Sequence, residues 1–342
     1  MAHLIDETTG RAAMAFVGET PWHGLGQPLT PNQPIEVWTK EAGLDYDVLR
    51  SPVMFNSANH ETMNTMSNRD VLYRSDTGAA LSVVSKDYKI VQPSDVLGFF
   101  GKLAEVGGFE LETAGALSDG KRIWALAKIN DGAPIIGQDF VRPYILLATS
   151  YDGTLATTGK LTGIRVVCHN TITMALGAYK GQQVVGKIEA DTEGKAVSSM
   201  IRIPHTNVFD PDDVRMRLGI VSNAWERWLV NTRILAETAI SDQQAEDCTV
   251  KLLGNHTPGS KSINDIKKSS GYIRIMRMFD GEMIGCGLTE GKTMWRYLNA
   301  ITEEVDWRRG KSNNTRMSSA WFGAGESMKN AAYQGLLELV KC

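Results

Sequence analysis

The sequence predicts an α+β fold in which antiparallel β-meanders and hairpins pack with one helix, followed by a mainly helical C-terminal part. In the first half, runs rich in valine, leucine and tyrosine alternate with short turns that contain glycine and aspartate. One apolar stretch with helix start and stop signals, 93–108, interrupts these runs. The second half instead places apolar residues at helical spacing, as in 210–240.

The first 43 residues are rich in turns, with proline, glycine and asparagine around Trp22 and His23. We expect residues 1–43 to form an ordered N-terminal arm that Trp22 anchors. A short helix is predicted over 34–42.

Three strand-like runs follow the arm, and the turn Asp76-Thr77-Gly78 between the last two favours an antiparallel meander. The runs are 46–55, 69–76 and 79–91. After the predicted helix, the segments 109–117 and 121–129 form a second hairpin around a Ser-Asp-Gly turn. The run 144–150 is almost continuously apolar, so we expect it at the centre of the sheet.

Further helices are predicted at 170–181, 210–240, 293–307 and 327–340. In the second of these, five apolar residues fall near one helical face: Leu218, Val221, Trp225, Trp228 and Leu229. The polar, glycine-bearing stretch 182–205 separates the two halves. We therefore expect an α+β core domain over 44–200 and a mainly helical region over 205–342.

Composition narrows the class of protein. A formal net charge of -3 excludes a strongly basic chain, although it leaves room for a local basic groove. The 4 cysteines are widely spaced and contain no CxxC pair, which is typical of a protein in a reducing compartment. With no signal peptide or membrane span recognisable in the sequence, we expect a cytoplasmic protein without a membrane partner.

The adjacent residues Cys168, His169 and Asn170 are the residue types of a catalytic triad. Neighbouring residues on a strand point to opposite faces, so Cys168 and His169 are poorly placed to form a nucleophile–base pair. We expect Cys168 in the core. Arg165 and His169 then share the opposite face, beside a predicted helix start that suits a phosphate group.

No metal site and no cofactor are predicted. The histidines are scattered, and the glycines match neither of the common phosphate-binding patterns, so ATP chemistry is not expected. The carboxylates of Glu303, Glu304 and Asp306 lie close in sequence to Arg308 and Arg309. This proximity favours ion pairs over a magnesium site.

Four motifs, in order along the chain, resemble those of a known family. They are "TPWHGLG", "GGFELETAGALSDGKRIWALAKI", "TGKLTGIRVVCHNT", and "TMWRYLNAITEEVDWRRG" through "SSAWFGAGESMKNAA". From about residue 20 to about residue 336, the chain resembles the phage/plasmid-like family, which is defined by a domain of unknown function. The resemblance implies a gene carried by a phage, prophage or plasmid and a protein at work in the bacterial host cytoplasm. It implies no activity.

The predicted order of strands and helix is also similar to the core of the Red-beta, RecT and Erf single-strand annealing proteins. That similarity implies a basic groove, a homo-oligomeric ring or filament, and single-stranded DNA bound along its outside. A phage exonuclease or a host single-strand binding protein would be further partners.

We therefore expect a non-enzymatic protein that binds single-stranded DNA and anneals complementary strands without ATP, for phage or plasmid recombination. Cations beside aromatic residues on a sheet can hold a phosphodiester backbone while bases stack, although a solvated sheet face has the same composition. The residues predicted to neutralise phosphates are Lys121, Arg122, Lys160 and Arg165. Trp124 or Tyr151 would stack on bases, and His169 and Asn170 would donate hydrogen bonds at the helix start.

Two alternatives stay open at this point. One is a metal-dependent nucleic-acid hydrolase that uses Glu303, Asp306 and His169. The other is a phage-encoded inhibitor of a host defence system, whose basic face occludes a partner protein.

Overall fold

Strands dominate the chain up to residue 203 and helices dominate it from residue 221, which confirms the predicted α+β class. The computed structural model describes residues 5–21, 24–57, 63–106, 109–165, 171–173, 200–210, 221–256, 259, 262–288, 290–310 and 313–340.

Seven of the twelve described strands lie at or near the runs that alternation and turn signals predict. In chain order the twelve are β1 (Met14–Val17), β2 (Gln27–Leu29), β3 (Val48–Asn56), β4 (Met63–Arg74), β5 (Ala80–Ser85), β6 (Glu110–Leu117), β7 (Arg122–Lys128), β8 (Ala133–Ile136), β9 (Asp139–Ser150), β10 (Thr157–Arg165), β11 (Thr171–Thr173) and β12 (Met200–Ile203). The five that are not predicted as strands are β1, β2, β8, β11 and β12.

The helices of the described residues are α1 (Ile35–Glu41), α2 (Pro93–Val106), α3 (Val221–Glu237), α4 (Asp242–Asn255), α5 (Ile263–Lys267), α6 (Ser270–Arg277), α7 (Met294–Glu303), α8 (Asn313–Phe322) and α9 (Ala324–Val340). Helices α6 and α7 each continue into a π-helical turn, Met278–Glu282 and Glu304–Arg308. Among the described residues, no helix combines the length and the apolar character that crossing a membrane requires.

The described strands form two sheets. The smaller is the predicted meander, in the order β3-β4-β5, and the larger has nine strands. Seven of these follow the order β11-β10-β9-β7-β6-β1-β2, while β8 pairs with β9 and β12 pairs with β10. Strand β9 is central, as predicted, and each of its residues from 144 to 150 is buried.

The two faces of the larger sheet pack against different helices. Residues paired across antiparallel strands share a face. Ile123, Ala127, Ile145 and Leu161 belong to the face that joins the main core with α2, and we call this the α2 face. Their neighbours Trp124, Leu126, Leu146 and Lys160 lie on the opposite face. We call it the α8 face, because Trp321 and Phe322 at the end of α8 pack on it.

The region predicted to be an N-terminal arm is part of the larger sheet. β1 pairs in parallel with β2 and antiparallel with β6, and the predicted short helix is present as α1. Trp22 and His23, the expected anchor, lie outside the described residues.

The prediction of a helix that begins at Asn170 is wrong for the three residues that the structure describes there. Thr171–Thr173 instead forms β11, which pairs with Thr162, Gly163 and Ile164 of β10. Two β-branched threonines around an isoleucine favour a strand over a helix, and the pairing satisfies backbone groups along β10. Residues 174–181 lie outside the described part of the chain.

The C-terminal helices share a large aromatic core. The predicted apolar face is confirmed at Trp225, Trp228 and Leu229 of α3, all of which are buried. Trp228 stacks on both Trp225 and Tyr333 of α9, with ring centroids 5.3 and 6.5 Å away. This core fixes the helices that carry the site described next.

Candidate functional site

The structure does not gather the eight predicted nucleic-acid contacts onto one surface. Three are half-buried at or beside the start of β7: Lys121, Arg122 and Trp124. Three are buried: Tyr151, Lys160 and Arg165. Two lie outside the described residues: His169 and Asn170. Cys168, which is predicted to be in the core, also lies outside the described residues, so this prediction is not tested.

Tyr151 is part of the core and has no ring face open to a base. Its side chain is 0% exposed, and its hydroxyl donates a hydrogen bond to the carbonyl oxygen of Val91 at 3.1 Å. Burial raises the pKa of this phenol well above its usual value. The prediction that Tyr151 stacks on nucleic acid is therefore corrected.

Lys160 joins the sheet to the C-terminal helices. Its Nζ donates to Glu326 Oε1 at 3.0 Å and to the carbonyl oxygen of Trp321, and it lies 5.4 Å from the ring centroid of Phe322. Burial lowers the pKa of the Lys160 ammonium, while the charge of Glu326 opposes this shift. Because both charges are enclosed, Lys160 is a structural ion-pair partner in this fold and not an open phosphate contact.

Arg165 makes a second buried junction, on the α2 face. Its Nε and Nη2 donate to the two carboxylate oxygens of Asp139 at 2.7 Å each, and Trp295 Nε1 also donates to Asp139 at 2.8 Å. Its Nη1 and Nη2 donate further to the carbonyl oxygens of Ile284 and Gly285 at 3.2 and 3.1 Å. Arg165 thus ties β10 to the loop that follows the first π-turn, which corrects its predicted role as a phosphate contact.

The remaining three predicted residues keep part of their surface. Arg122 Nη2 donates to Thr154 Oγ1 at 3.0 Å. Trp124 packs edge-on against Trp321 of α8, with the ring centroids 6.3 Å apart. Lys121, Arg122 and Trp124 are therefore the predicted contacts that keep accessible surface among the described residues.

A cleft of about 460 Å³ lies among the helices, beside the loop that Arg165 holds. We call it the arginine cleft. Its lining residues are Arg274, Ile284, Glu303, Trp307, Arg308 and Arg316. Its volume is within the roughly 300–1,000 Å³ of typical small-molecule sites. It brings three arginines and an aromatic ring together around one open cleft.

The π-turn after α7 supplies two of these side chains, Trp307 and Arg308. Such turns are rare and occur frequently at functional sites. Arg274 comes from α6, where Glu304 fixes its guanidinium by accepting hydrogen bonds from Nε at 2.8 Å and Nη2 at 2.6 Å. Arg316 comes from α8, and its Nε donates to the carbonyl oxygen of Arg309 at 3.0 Å.

Glu303 is the acidic residue of the cleft lining and is 1% exposed. Its Oε2 accepts a hydrogen bond from the backbone N–H of Ile284 at 3.0 Å. Its Oε1 has no hydrogen-bond donor, since the nearest guanidinium nitrogen, Arg308 Nη2, is 3.6 Å away. The other buried polar side-chain atoms without a hydrogen bond in the described residues are Ser57 Oγ, Trp124 Nε1, Trp228 Nε1, Asn299 Oδ1 and Asn330 Oδ1. None of these belongs to the residues that line the cleft.

The cleft is not among the predicted sites, although the sequence carries one signal of it. The stretch "EEVDWRRG" places Trp307 directly before two arginines, a combination that suits phosphate and base contacts. The prediction for this stretch treats its arginines only as ion-pair partners of the carboxylates. Arg274 and Arg316 carry no local signal, because α6 and α8 meet the cleft through tertiary packing.

The carboxylates around 303–306 form ion pairs, as predicted, although mostly with other partners than expected. Glu304 pairs with Arg274, and Asp306 accepts a hydrogen bond from Lys329 Nζ at 2.8 Å. Within the described ranges, no three His, Cys, Asp or Glu side chains are grouped to hold a metal ion. The described residues therefore add no support to a hydrolase that uses Glu303 and Asp306.

Glu112 and Tyr144 form a separate polar pair beside the α8 face. Glu112 lies where the register between β6 and β7 shifts, and both of its carboxylate oxygens accept from the Tyr144 hydroxyl, at 2.9 and 3.0 Å. Burial raises the pKa of Glu112, against the opposing effects of Tyr144 and of nearby cations.

We expect Glu112→Gln to stabilise the protein at neutral pH. The folded state binds a proton on Glu112 more tightly than the unfolded chain does, so wild-type stability falls as pH rises above the ordinary value of 4.5 through the folded-state pKa. Glutamine avoids this loss and still accepts the hydroxyl of Tyr144. Urea denaturation at pH 4 and pH 7 measures the difference, which should shrink at the lower pH.

The control is Glu226→Gln, at an exposed position on α3. It should change the free energy of unfolding by less than about 0.5 kcal/mol. If the two substitutions changed the free energy of unfolding equally at both pH values, a raised pKa of Glu112 would not be the cause.

Comparison with known proteins gives one positive result. No curated protein and no solved structure matches the chain significantly. The model of a family defined by a domain of unknown function, DUF932, matches residues 80–321, which is more than half of the chain and includes every residue of the arginine cleft. The chain therefore belongs to the DUF932 family.

Proposed function

We propose that the protein binds single-stranded DNA at the arginine cleft, without covalent chemistry. The observation that carries this proposal is the convergence of Arg274, Arg308, Arg316 and the indole of Trp307 on one cavity of about 460 Å³. Guanidinium groups bind phosphate oxygens in a fork-like geometry. An indole face stacks on any base, which suits binding without sequence preference.

The arginines of the cleft differ in how strongly they are engaged. Arg274 is held by a bidentate contact with the buried carboxylate of Glu304. The Arg308 side chain is 49% exposed, and its nearest carboxylate oxygen, on Glu303, is beyond hydrogen-bond distance at 3.6 Å. We therefore expect Arg308 to make the strongest phosphate contact, with Arg316 of α8 beside it.

Helix α8 connects the cleft to the sheet face that carries Trp124. Arg316 and Trp321 lie on the same helix, five positions apart, which is about 7.5 Å along the axis. Trp321 in turn contacts Trp124 on the sheet. We expect a bound strand to pass from the cleft across α8 towards Arg122.

Annealing follows from this mode of binding. Contacts to phosphates and base faces leave the hydrogen-bonding edges of the bases available to a complementary strand. Many weak contacts become effective together when protomers assemble on one strand, so a homo-oligomeric ring or filament is part of the proposal. The proposed setting is ATP-independent recombination of phage or plasmid DNA in a bacterial host.

The test is binding of a labelled single-stranded oligodeoxynucleotide, followed by fluorescence anisotropy. Arg308→Ala and Arg316→Ala should each weaken binding about tenfold, the effect of one charged hydrogen bond. Each should also lower the slope of log K against log salt by about 0.7. Complementary strands should anneal faster with the wild-type protein than without it, in the absence of ATP.

Arg277→Ala is the matched control. Arg277 is exposed on α6, the helix that carries Arg274, but it does not line the cleft. Its substitution should leave the affinity nearly unchanged. No binding by the wild-type protein at low salt, or equal losses in all three variants, would refute binding at this cleft.

A further inference from the structure

Glu303 places a buried carboxylate oxygen without a hydrogen bond beside the arginines of the cleft. Its Oε2 is occupied by the backbone N–H of Ile284, whereas Oε1 lacks a donor. An unsatisfied buried oxygen of a charged group is costly, and native structures seldom retain one without a reason. A ligand whose phosphate draws the exposed Arg308 side chain outward would open Oε1 to a hydrogen-bond donor and supply the missing partner.

The position of Glu303 restricts the chemistry of that ligand. A phosphate oxygen repels the carboxylate, so the group that meets Oε1 must be a neutral donor such as a hydroxyl. Arg308 Nη2 lies 3.6 Å from the same oxygen, so the ligand must present an anionic group and a donor within a few ångströms of each other. A ribonucleotide unit does so, because its phosphate and its 2′-hydroxyl are attached to one sugar.

We infer that Glu303 accepts a hydrogen bond from a ribose 2′-hydroxyl, so that the cleft prefers single-stranded RNA to single-stranded DNA. The inference rests on nucleic-acid binding at the cleft, as proposed above, and changes the preferred ligand: single-stranded DNA binds there, but more weakly than single-stranded RNA. The 2′-hydroxyl is the group through which proteins distinguish the two nucleic acids. Trp307 provides the stacking surface for the base, and Arg308 and Arg316 neutralise the phosphate.

The surrounding contacts keep Glu303 in position. Ile284, whose N–H holds Oε2, is itself held through its carbonyl oxygen by Arg165. Glu303 is the last residue of α7 and is followed directly by the π-turn that carries Trp307 and Arg308. The hydroxyl acceptor, the stacking ring and the phosphate contact therefore belong to one continuous segment with a fixed wall opposite.

The test compares a labelled oligouridylate with an oligodeoxyuridylate of equal length, which differ only in the 2′-hydroxyl. The wild-type protein should bind the ribose form about tenfold more tightly, the effect expected for one hydrogen bond to a carboxylate. A 2′-fluoro oligouridylate, which has no donor at this position, should bind as weakly as the deoxy form.

Glu303→Gln should bring the ratio of the two affinities close to one, because its single amide oxygen stays with the Ile284 N–H and an NH2 group then replaces the acceptor Oε1. The change should arise mainly from weaker binding of the ribose form, since deoxy binding does not use the 2′ position. Glu282→Gln, an exposed position close in sequence to Ile284 and not part of the cleft lining, should leave the ratio unchanged. Glu303→Asp, which withdraws the carboxylate by one methylene, should also lower the ratio and serves if the glutamine variant does not fold.

The outcomes separate this inference from the proposed function. Equal affinities of the wild-type protein for the ribose and deoxy forms would overturn the role of Glu303 but leave nucleic-acid binding intact. A preference for ribose that persists in the Glu303 variants would also overturn it. Absence of binding to either oligonucleotide would reject the proposed function itself.

Discussion

Arg165→Met is expected to lower the free energy of unfolding by about 3–5 kcal/mol, the usual cost of removing one member of a buried ion pair. The substitution leaves the carboxylate of Asp139, which is 0% exposed, in contact with the indole N–H of Trp295 but without its guanidinium partner. Total stabilities are about 5–15 kcal/mol, so the loss is a large fraction of the whole. Urea denaturation followed by tryptophan fluorescence measures it.

A second substitution tests whether the destabilisation comes from the uncompensated charge of Asp139. If the cost comes from an uncompensated buried charge, Asp139→Asn in the Arg165→Met background should recover part of the loss, since asparagine is neutral and still accepts from Trp295. Arg142→Met, at an exposed arginine on β9, should change stability by less than about 0.5 kcal/mol. Equal effects of Arg142→Met and Arg165→Met would show that the buried pair has no special importance.

Arg165→Met should also change the affinity for nucleic acid. Arg165 holds the carbonyl oxygens of Ile284 and Gly285, and Ile284 forms part of the cleft wall and donates its N–H to Glu303. Loss of these hydrogen bonds should loosen the wall. We therefore expect Arg165→Met to weaken nucleic-acid binding even though its side chain never meets the ligand.

Most of the fold could be predicted because its signals are local. The alternation in β3 to β7, the Asp76-Thr77-Gly78 turn and the apolar run 144–150 each involve neighbouring residues, and the structure confirms these elements. The start of β11 could not be predicted in the same way. A Thr-Ile-Thr segment after an asparagine suits either a helix start or a strand, and the pairing with β10 decides between them.

The site could not be predicted because its residues meet through long-range packing. A lysine in a strand is consistent with a phosphate contact until its partner is known, and Glu326 is 166 positions from Lys160. The sequence nevertheless shows that Lys160 and Arg165 cannot both contact one ligand on the same face. Lys160 and Arg165 are five residues apart, so strand alternation alone places them on opposite faces of the sheet.

The Lys160–Glu326 pair should show the non-additive behaviour of a buried ion pair. Lys160→Met and Glu326→Leu should each destabilise the protein by about 3–5 kcal/mol, because each leaves the other charge buried without its partner. The double variant should be more stable than either single variant, since it buries neither charge. Denaturation of the four proteins gives the coupling energy directly.

The control for this cycle is Lys86→Met, at an exposed lysine that should change stability by less than about 0.5 kcal/mol. Additive effects of the two single substitutions would contradict a coupled pair. Lys160 also holds the carbonyl oxygen of Trp321, at the end of the helix that carries Arg316. The double variant should therefore recover stability without recovering full affinity for nucleic acid, because methionine cannot replace that hydrogen bond.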